Sequence, residues 1–247
     1  IDPEEFYDFS LTRPHTTRSK DGRRKIHWPV NDFFSWTPEN SDKGTLFYLG
    51  VEPNLRWRTF SNEITGLAKQ HGVKTVVHLG ALLDAVPHTR EVRLTGSSTR
   101  PALQRYYTDS GVNASTYQGP TGISSVLLES FANAGIEYAS LWGHTSHYLQ
   151  AAPNYRVAHT LLKHFQGILD LPVDIGELQA AAETFDREVA KAIERDEQLG
   201  AYVTKLEGQY DESVAASETP DPSEMVQDLE RFLRSEQRRR PGRGDAT

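Results

Sequence analysis

The sequence predicts an α/β fold, in which a mostly parallel sheet is covered by helices on both faces, followed by a C-terminal helical extension. Apolar runs of strand length alternate with amphipathic segments of helix length as far as Leu169, the order expected for a parallel sheet. The run Val73–Leu79 is rich in valine, as a buried central strand should be. From Ile175 onward the apolar residues instead follow the 4,3 spacing of helices that pack against one another.

The first third of the chain predicts one strand–helix–strand unit. The opening to Trp36 has little periodicity, and we expect loops and edge structure there, with a short strand at Lys25–Trp28. The apolar run Thr45–Val51 leads into a helical pattern that stops at Gly72. With the strand at Val73–Leu79 these segments predict a βαβ unit with a right-handed crossover.

The alternation continues through the middle of the chain. Val92 and Leu94 lie in a predicted half-buried strand between Pro87 and Ser98. The elements predicted after it are a helix at Thr99–Tyr107, a strand at Val112–Tyr117, a helix from Ile123 to Gly135, a strand at Ile136–Trp142 and a helix at Tyr155–Leu169.

The C-terminal extension is predicted to be a helical hairpin. Its apolar stripe runs from Leu178 to Leu206 with an interruption at Asp196, and a linker at Ser213–Pro222 precedes a shorter helix around Met225, Leu229, Phe232 and Leu233. Packing is the favoured use of this stripe, ahead of a cofactor or membrane role. We therefore expect an α/β core at 1–172, the helical extension at 173–240 and a tail at 241–247.

Composition excludes several classes of function. A net charge of −7 and a pI of about 5.7 argue against nucleic acid as the main partner, and the basic run Arg238-Arg239-Arg240 is expected to be a solvated tail. No apolar run reaches the roughly twenty residues that span a bilayer, so we expect no membrane partner. The absence of cysteine excludes disulfides and a cysteine nucleophile and fits a reducing compartment, the cytoplasm. Because the chain starts at Ile1 and has one methionine, Met225, we expect a fragment or a processed form.

Candidate ligand-binding residues follow the predicted strands. Ligands of open α/β sheets bind beyond the carboxyl ends of the strands, so we expect these residues to share one rim. They are Glu52, Arg56, Gly80, Gly119, Thr121, Gly122, His144 and His147.

The turn Gly119-Pro120-Thr121-Gly122 precedes a predicted helix. Free N–H groups at that helix start would attract an anion, and Thr121 would be placed to cap it. The alternative, which we favour, is a sharp turn made by two glycines, because the lysine and spacing of a nucleotide P-loop are missing.

His144 and His147 lie three residues apart in a predicted loop. A zinc site would need a third ligand, and none is near in sequence, so a hydrogen-bonding pair at a pocket rim or oligomer interface is the favoured interpretation. Ser124 and Ser125 lack the G-x-S-x-G context of a serine hydrolase. We therefore assign no catalytic residue, no metal and no cofactor.

The segment Glu52–Trp57 places a carboxylate near a guanidinium. Arg56 at a strand end would be able to bind a carboxylate or phosphate. An internal pair between Glu52 and either Arg56 or Arg58 is slightly favoured.

Four segments resemble the proteasome assembly chaperone 2 family, in the stand-alone form of actinobacteria, which is sometimes labelled as an ATP-grasp relative. They are GVEPNLRW (50–57), VVHLGALLDAVPHTR (76–90), YQGPTGISSVL (117–127) and SLWGHTSHYL (140–149). The resemblance implies a three-layer α/β/α fold similar to the nucleoside phosphorylase or hydrolase type. It also implies self-association, most often as a homotrimer, and a protein assembly partner.

The chain departs from this family at both ends. Family members usually place a strand, a loop and a helix ahead of the segment that resembles Ile1–Pro14, so we expect the core to lack its first strand and helix here. The ending Gly244-Asp245-Ala246-Thr247 lacks the hydrophobic-tyrosine-X motif by which many proteasome activators dock.

Two functions follow. An assembly or binding factor that acts as an oligomer is favoured, because no nucleophile, base and electrophile are assembled. The alternative is an enzyme or binding protein for a small anionic substrate, phosphorylase-like or carboxylate–amine ligase-like, near Gly122, Arg56 and His144. Fold analogy alone does not establish it.

Overall fold

A computed structural model describes residues 1–37, 39, 44–115, 117–149, 153–169 and 173–216. Its helices are α1 (Pro3–Phe6), α2 (Trp57–Gln70), α3 (Pro101–Asp109), α4 (Ile123–Asn133), α5 (Tyr155–Leu169), α6 (Gly176–Ile193) and α7 (Glu197–Ala216). Its strands are β1 (His15–Arg18), β2 (Arg24–His27), β3 (Asn31–Trp36), β4 (Thr45–Gly50), β5 (Thr75–Asp84), β6 (Leu94–Ser98), β7 (Asn113–Ala114) and β8 (Glu137–Ser146). The α/β class that the sequence predicts is confirmed.

The described residues form two compact units. The first consists of Ile1–Val76 and Tyr117–Tyr138, and the second of the remaining described residues. Among the described helices, none combines the length and the apolar character that crossing a membrane would need.

The core of the first unit lies between α2, α4 and the β3–β4 pair. Phe60, Ile64 and Ala68 recur at helical spacing and are buried on one side of α2, which packs against α4. Phe6 of α1 completes this core with an edge-to-face contact to Phe60, the ring centroids being 5.3 Å apart. The N-terminal turn of the chain is thereby part of the core.

The four-stranded sheet has the order β5-β8-β6-β7. β6 pairs parallel to β7 and antiparallel to β8, so the sheet is mixed. β8 is buried along most of its length, as its apolar sequence requires. Gly143 of this strand allows α5 to approach closely, because a Cβ there would lie 2.4 Å from Val157.

Within the described residues, the predicted helices and most predicted strands are present with shifted ends, but the prediction of a βαβ unit in the first third of the chain is wrong. β4 pairs antiparallel with β3 in a separate two-stranded sheet. The opening is also more structured than expected, since α1, β1 and β3 have no apolar periodicity that would predict them. Every residue of β1 is exposed, and a strand without a buried face has no alternating pattern.

The heptad-like stripe forms two helices, α6 and α7, with a break at Asp196. The Asp196 carboxylate accepts hydrogen bonds from the N–H groups of Gln198 and Leu199, which caps α7 and explains the break. The stripe is buried within the chain itself; its buried members are Ala182, Phe185, Val189, Val203 and Leu206. The shorter helix expected around Met225 lies outside the described residues.

α7 is fixed to the segment after β5 by charged contacts. The Arg90 guanidinium donates two hydrogen bonds of 2.8 Å to the Asp211 carboxylate and also pairs with Glu207. Arg93 donates to Ser213 and lies over the Tyr210 ring. This part of the C-terminal extension therefore packs against its own chain rather than extending into solvent.

Candidate functional site

The predicted ligand-binding residues belong to both units. Glu52, Arg56, Gly119, Thr121 and Gly122 lie in the first unit. The second unit contains Gly80, His144 and His147.

Glu52 occupies the start of α4. Its carboxylate accepts a hydrogen bond of 2.6 Å from the backbone N–H of Ile123. Gly122 is the N-cap residue, and a Cβ there would lie 2.9 Å from the Glu52 oxygen. The structure thus brings Glu52 and Gly122 together, and the position predicted for an anion holds a carboxylate of the chain itself.

Arg56 has a structural role that differs from the predicted one. It adopts a left-handed backbone conformation, with φ of 55°, immediately before α2. Its guanidinium forms an ion pair of 2.5 Å with Glu5 and lies over the Phe6 ring. The predicted internal pair between Glu52 and Arg56 is wrong, because each side chain has another partner.

The Gly119–Gly122 turn is stabilised by its own residues. The Tyr117 hydroxyl donates to the carbonyl of Pro120 at 2.9 Å, and its ring fills the space beside Gly119. The Thr121 hydroxyl donates to Ser125, so the expectation that Thr121 caps α4 is wrong. These contacts within the turn agree with the interpretation that the two glycines make a sharp turn into α4.

Asp84, at the end of β5, organises the histidine pair. Its buried carboxylate lies 2.6 Å from Nδ1 of His144 and accepts from the Ala85 N–H at 2.6 Å. Nε2 of His144 lies 3.0 Å from the Thr95 hydroxyl. Since a carboxylate only accepts, Nδ1 carries a proton, and Nε2 lies within hydrogen-bond distance of the hydroxyl. A carboxylate–imidazole–hydroxyl chain therefore links β5, β8 and β6.

His147 is buried and forms hydrogen bonds with the backbone of the same aspartate, Asp84. Its backbone N–H and its ring Nδ1 both reach the carbonyl of Asp84, at 3.1 and 3.0 Å. Because a carbonyl only accepts, Nδ1 is protonated, and in the neutral ring Nε2 accepts from the Tyr202 hydroxyl of α7 at 3.2 Å. His147 thus joins the sheet end to α7, whereas His144 lies within β8 rather than in the predicted loop and joins that strand to β5 and β6.

Gly80 has a packing role. A Cβ at this position would lie 2.4 Å from the Trp142 ring, which stacks on His78 with centroids 5.2 Å apart. Only glycine lets the indole lie this close to the β5 backbone.

A small cleft in the second unit exposes part of the polar network. Its lining includes His88, Arg93, His144, Asn154, Arg156 and Asp186. Its volume of about 20 Å³ suits one water molecule, whereas small-molecule pockets measure about 300–1,000 Å³. Within the described ranges, no three histidine or carboxylate side chains converge as metal ligands would.

An apolar surface in the first unit was not predicted. The register of β3 and β4 places four large apolar side chains on one side of the pair, 42–71% exposed, and two exposed valines, Val30 and Val51, adjoin the strand ends. We call this surface the ribbon face; it consists of Val30, Phe34, Trp36, Phe47, Leu49 and Val51. The opposite side carries Phe33 and Tyr48, which stack and pack on the core.

Two features in the sequence could have indicated these sites. Asp84 is a carboxylate directly after an apolar strand, where a polar network commonly starts. The runs DFFSW and LFYLG are apolar at successive positions, which places apolar residues on both sides of a strand and predicts that both sides require cover.

A model of the PAC2 family matches residues 1–193. A proteasome-assembly chaperone homologue from Mycobacterium tuberculosis is 36% identical, with a TM-score of 0.73, over 82% of this chain and 85% of that chain. A PAC2 family protein from Streptomyces avermitilis is 34% identical, with a TM-score of 0.72, over 82% and 84% of the two chains.

An archaeal proteasome activator from Pyrococcus furiosus is 19% identical, with a TM-score of 0.53, over 72% of this chain and 76% of its own. At that identity the similarity concerns the fold alone. No curated protein matches the sequence significantly.

The hydrogen bond from Ile123 to Glu52 predicts which residue stabilises the start of α4. Replacing Glu52 with alanine should lower the free energy of unfolding by about 1 kcal/mol, the usual effect of losing a helix cap. Thr121→Ala is the matched control and should change it by less than about 0.5 kcal/mol, because its hydroxyl does not cap the helix. Urea unfolding followed by circular dichroism measures both. Equal effects would contradict the assignment of the cap to Glu52.

Burial of His88 predicts a loss of stability in acid. Desolvation lowers the pKa of His88, with Asp186 and Glu207 opposing the shift, and its Nδ1 lies 2.7 Å from the Tyr148 hydroxyl. A lowered pKa means that the unfolded chain binds more protons, so the stabilisation is complete above the ordinary imidazole pKa of about 6.5 and is lost as the pH falls through the lowered value.

The measurement is urea unfolding at pH 7.5 and 5.5. His88→Asn keeps an acceptor for Tyr148 and should reduce the pH-dependent change by up to about 1 kcal/mol, since the ring is partly exposed. The exposed His15→Asn should leave the change as in the wild type. An unaltered pH dependence in His88→Asn would exclude this role for His88.

Proposed function

The chain belongs to the PAC2 family, and on this basis we propose that it is a protein-assembly factor that acts in the cytoplasm as a homotrimer. Its partners are protein subunits that have not yet been assembled. The Mycobacterium tuberculosis relative, at 36% identity, is described as a proteasome-assembly chaperone homologue. The proposal assigns binding of the partner to the ribbon face.

The ribbon face is the observation that carries this proposal. Soluble monomers rarely expose contiguous apolar patches of more than a few hundred Å², and larger ones mark protein interaction sites. Phe34 and Phe47 are direct cross-strand neighbours at its centre, with Trp36 and Leu49 beside them. Asp32 is the only charged residue among the paired positions on this side. Such a surface fits an apolar, uncharged partner surface.

A subunit awaiting assembly has this chemistry. Interfaces of permanent complexes are more apolar than ordinary surfaces, so a subunit exposes an apolar patch until its neighbour arrives. The ribbon face would cover that patch and then release it.

One observation favours the enzymatic alternative. The Asp84–His144–Thr95 chain has the order of an acid, a base and a hydroxyl nucleophile. Against it, the carboxylate of Glu52 occupies the predicted anion position, and the cleft beside His144 is the size of one water molecule. We therefore favour a structural role for the chain of hydrogen bonds.

An aggregation assay tests the proposal, with protein purified from its own host. Thermally unfolding citrate synthase serves as a defined partner that exposes apolar surface, and light scattering reports its aggregation. The wild type should suppress aggregation, and the double variant Phe34→Asp with Leu49→Lys should lose most of this effect; lysine at position 49 avoids a like charge opposite Asp32. Leu11→Asp, at a residue 73% exposed outside the ribbon face, is the matched control and should keep it.

Two outcomes would contradict the proposal. Equal suppression by the double variant and the wild type would exclude the ribbon face as the binding surface. A fall of more than about 5 °C in Tm for the double variant alone would show that the face is an internal contact of the folded protein.

A further inference from the structure

The hairpin formed by β1 and β2 is strongly basic in an acidic protein. Residues 13–27 carry six lysine or arginine side chains and one aspartate, whereas the whole chain has a net charge of −7. All residues of β1 and β2 are exposed. Concentrated charge of this kind marks a surface for an oppositely charged partner.

The register of the hairpin brings two like charges together. Arg18 pairs directly with Arg24, and Thr16 with Ile26, on the same side of the hairpin. Like charges directly opposite destabilise a strand pair. We call this side, with Arg18, Arg24 and Ile26, the hairpin face. Residues that lower the stability of a fold are most often found at functional sites, so the opposed arginines indicate a binding surface.

The turn keeps the hairpin in this register. The Ser19 N–H donates to the Arg23 carbonyl, and Gly22 has a φ of 83°, which glycine adopts without strain. The only ion pair described in the hairpin joins Arg23 to Asp21, within the turn. In the described part of the chain Arg18 and Arg24 make no ion pair, so both remain available to a partner.

A complementary recess lies on the helices of the second unit. It measures about 360 Å³ and is lined by Tyr155, Ala180, Ala181, Thr184, Phe185 and Glu188. We call it the helix recess. Its floor is apolar, and Glu177 and Glu188 lie eleven residues apart on α6, which places both carboxylates on one side of the helix. Neither carboxylate has an ion pair within the described residues.

We propose that the hairpin face of one copy docks into the helix recess of a second copy. Ile26, which is 55% exposed, enters the apolar floor, and the two arginines pair with Glu177 and Glu188. An apolar side chain beside a pair of cations thus meets an apolar recess on a helix that carries two anions. The two surfaces differ, so the contact is heterologous, and the trimer proposed above requires that its rotation closes into a ring. This inference rests on the self-association in the proposed function.

The charge of the rest of the chain favours a protein partner over a polyanion. Without residues 13–27 the chain carries 21 cationic and 33 acidic side chains, a net charge of −12. That excess repels nucleic acid and anionic lipid and supplies carboxylates for the hairpin.

Sedimentation velocity measures the association, with the full chain at 50 mM NaCl. Arg18→Glu with Arg24→Glu should raise the dissociation constant at least tenfold, and so should Glu177→Lys with Glu188→Lys. The variant with all four reversals should regain the oligomer, because the charges are exchanged across the contact. Raising NaCl to 500 mM should weaken the wild-type oligomer.

A matched control separates the hairpin face from the charge of the hairpin. Arg13→Glu with Lys20→Glu makes the same change in net charge outside the face and should leave the oligomer intact. Circular dichroism confirms that each variant is folded.

Three results would overturn the inference. The first is an oligomer that neither pair of reversals weakens, and the second is a fourfold variant that stays dissociated. The third is a wild type that stays monomeric. A monomer that binds a 20-nucleotide single strand or phosphatidylserine vesicles through the hairpin would assign the basic charge to a polyanion instead. None of these results bears on the ribbon face, which the aggregation assay tests independently.

Discussion

The buried carboxylate of Asp84 is the group on which the end of the four-stranded sheet depends. A carboxylate leaves water at a high cost unless hydrogen bonds replace its hydration. His144 and the Ala85 N–H supply those bonds, and the carbonyl of the same residue receives His147. His147 contacts Tyr202 of α7 in turn. One aspartate therefore joins the strand ends to the helix that covers them.

The same principle explains the start of α4. An exposed helix N-terminus attracts any anion, and here the chain provides its own in Glu52. The groups that the sequence marks as ligand-binding are thus satisfied internally in both units. What stays unsatisfied is at the surface: the apolar ribbon face, and the basic hairpin with its opposed arginines. Both observations support the proposal that the protein acts through contacts with other protein chains.

The α/β class and most of the helices follow from periodicity, because α2, α5 and α6 each bury one side at regular spacing. The pairing of β4 with β3 does not follow, since a strand that is apolar on both sides does not specify its neighbour. Spacing along the chain also does not reveal an ion pair between residues that are distant in sequence. Arg56 pairs with Glu5, fifty-one residues away, although Glu52 is nearer along the chain.

The most direct test of a protein-binding function is native mass spectrometry of the protein purified gently from its own host. One spectrum reports the number of subunits, the retained proteins and any retained small molecules. The proposed assembly function predicts a trimer of identical chains, with a second protein attached to a fraction of the complexes and no stoichiometric small-molecule adduct. A monomer that carries one defined small molecule per chain would contradict it and would support a ligand-binding or catalytic role.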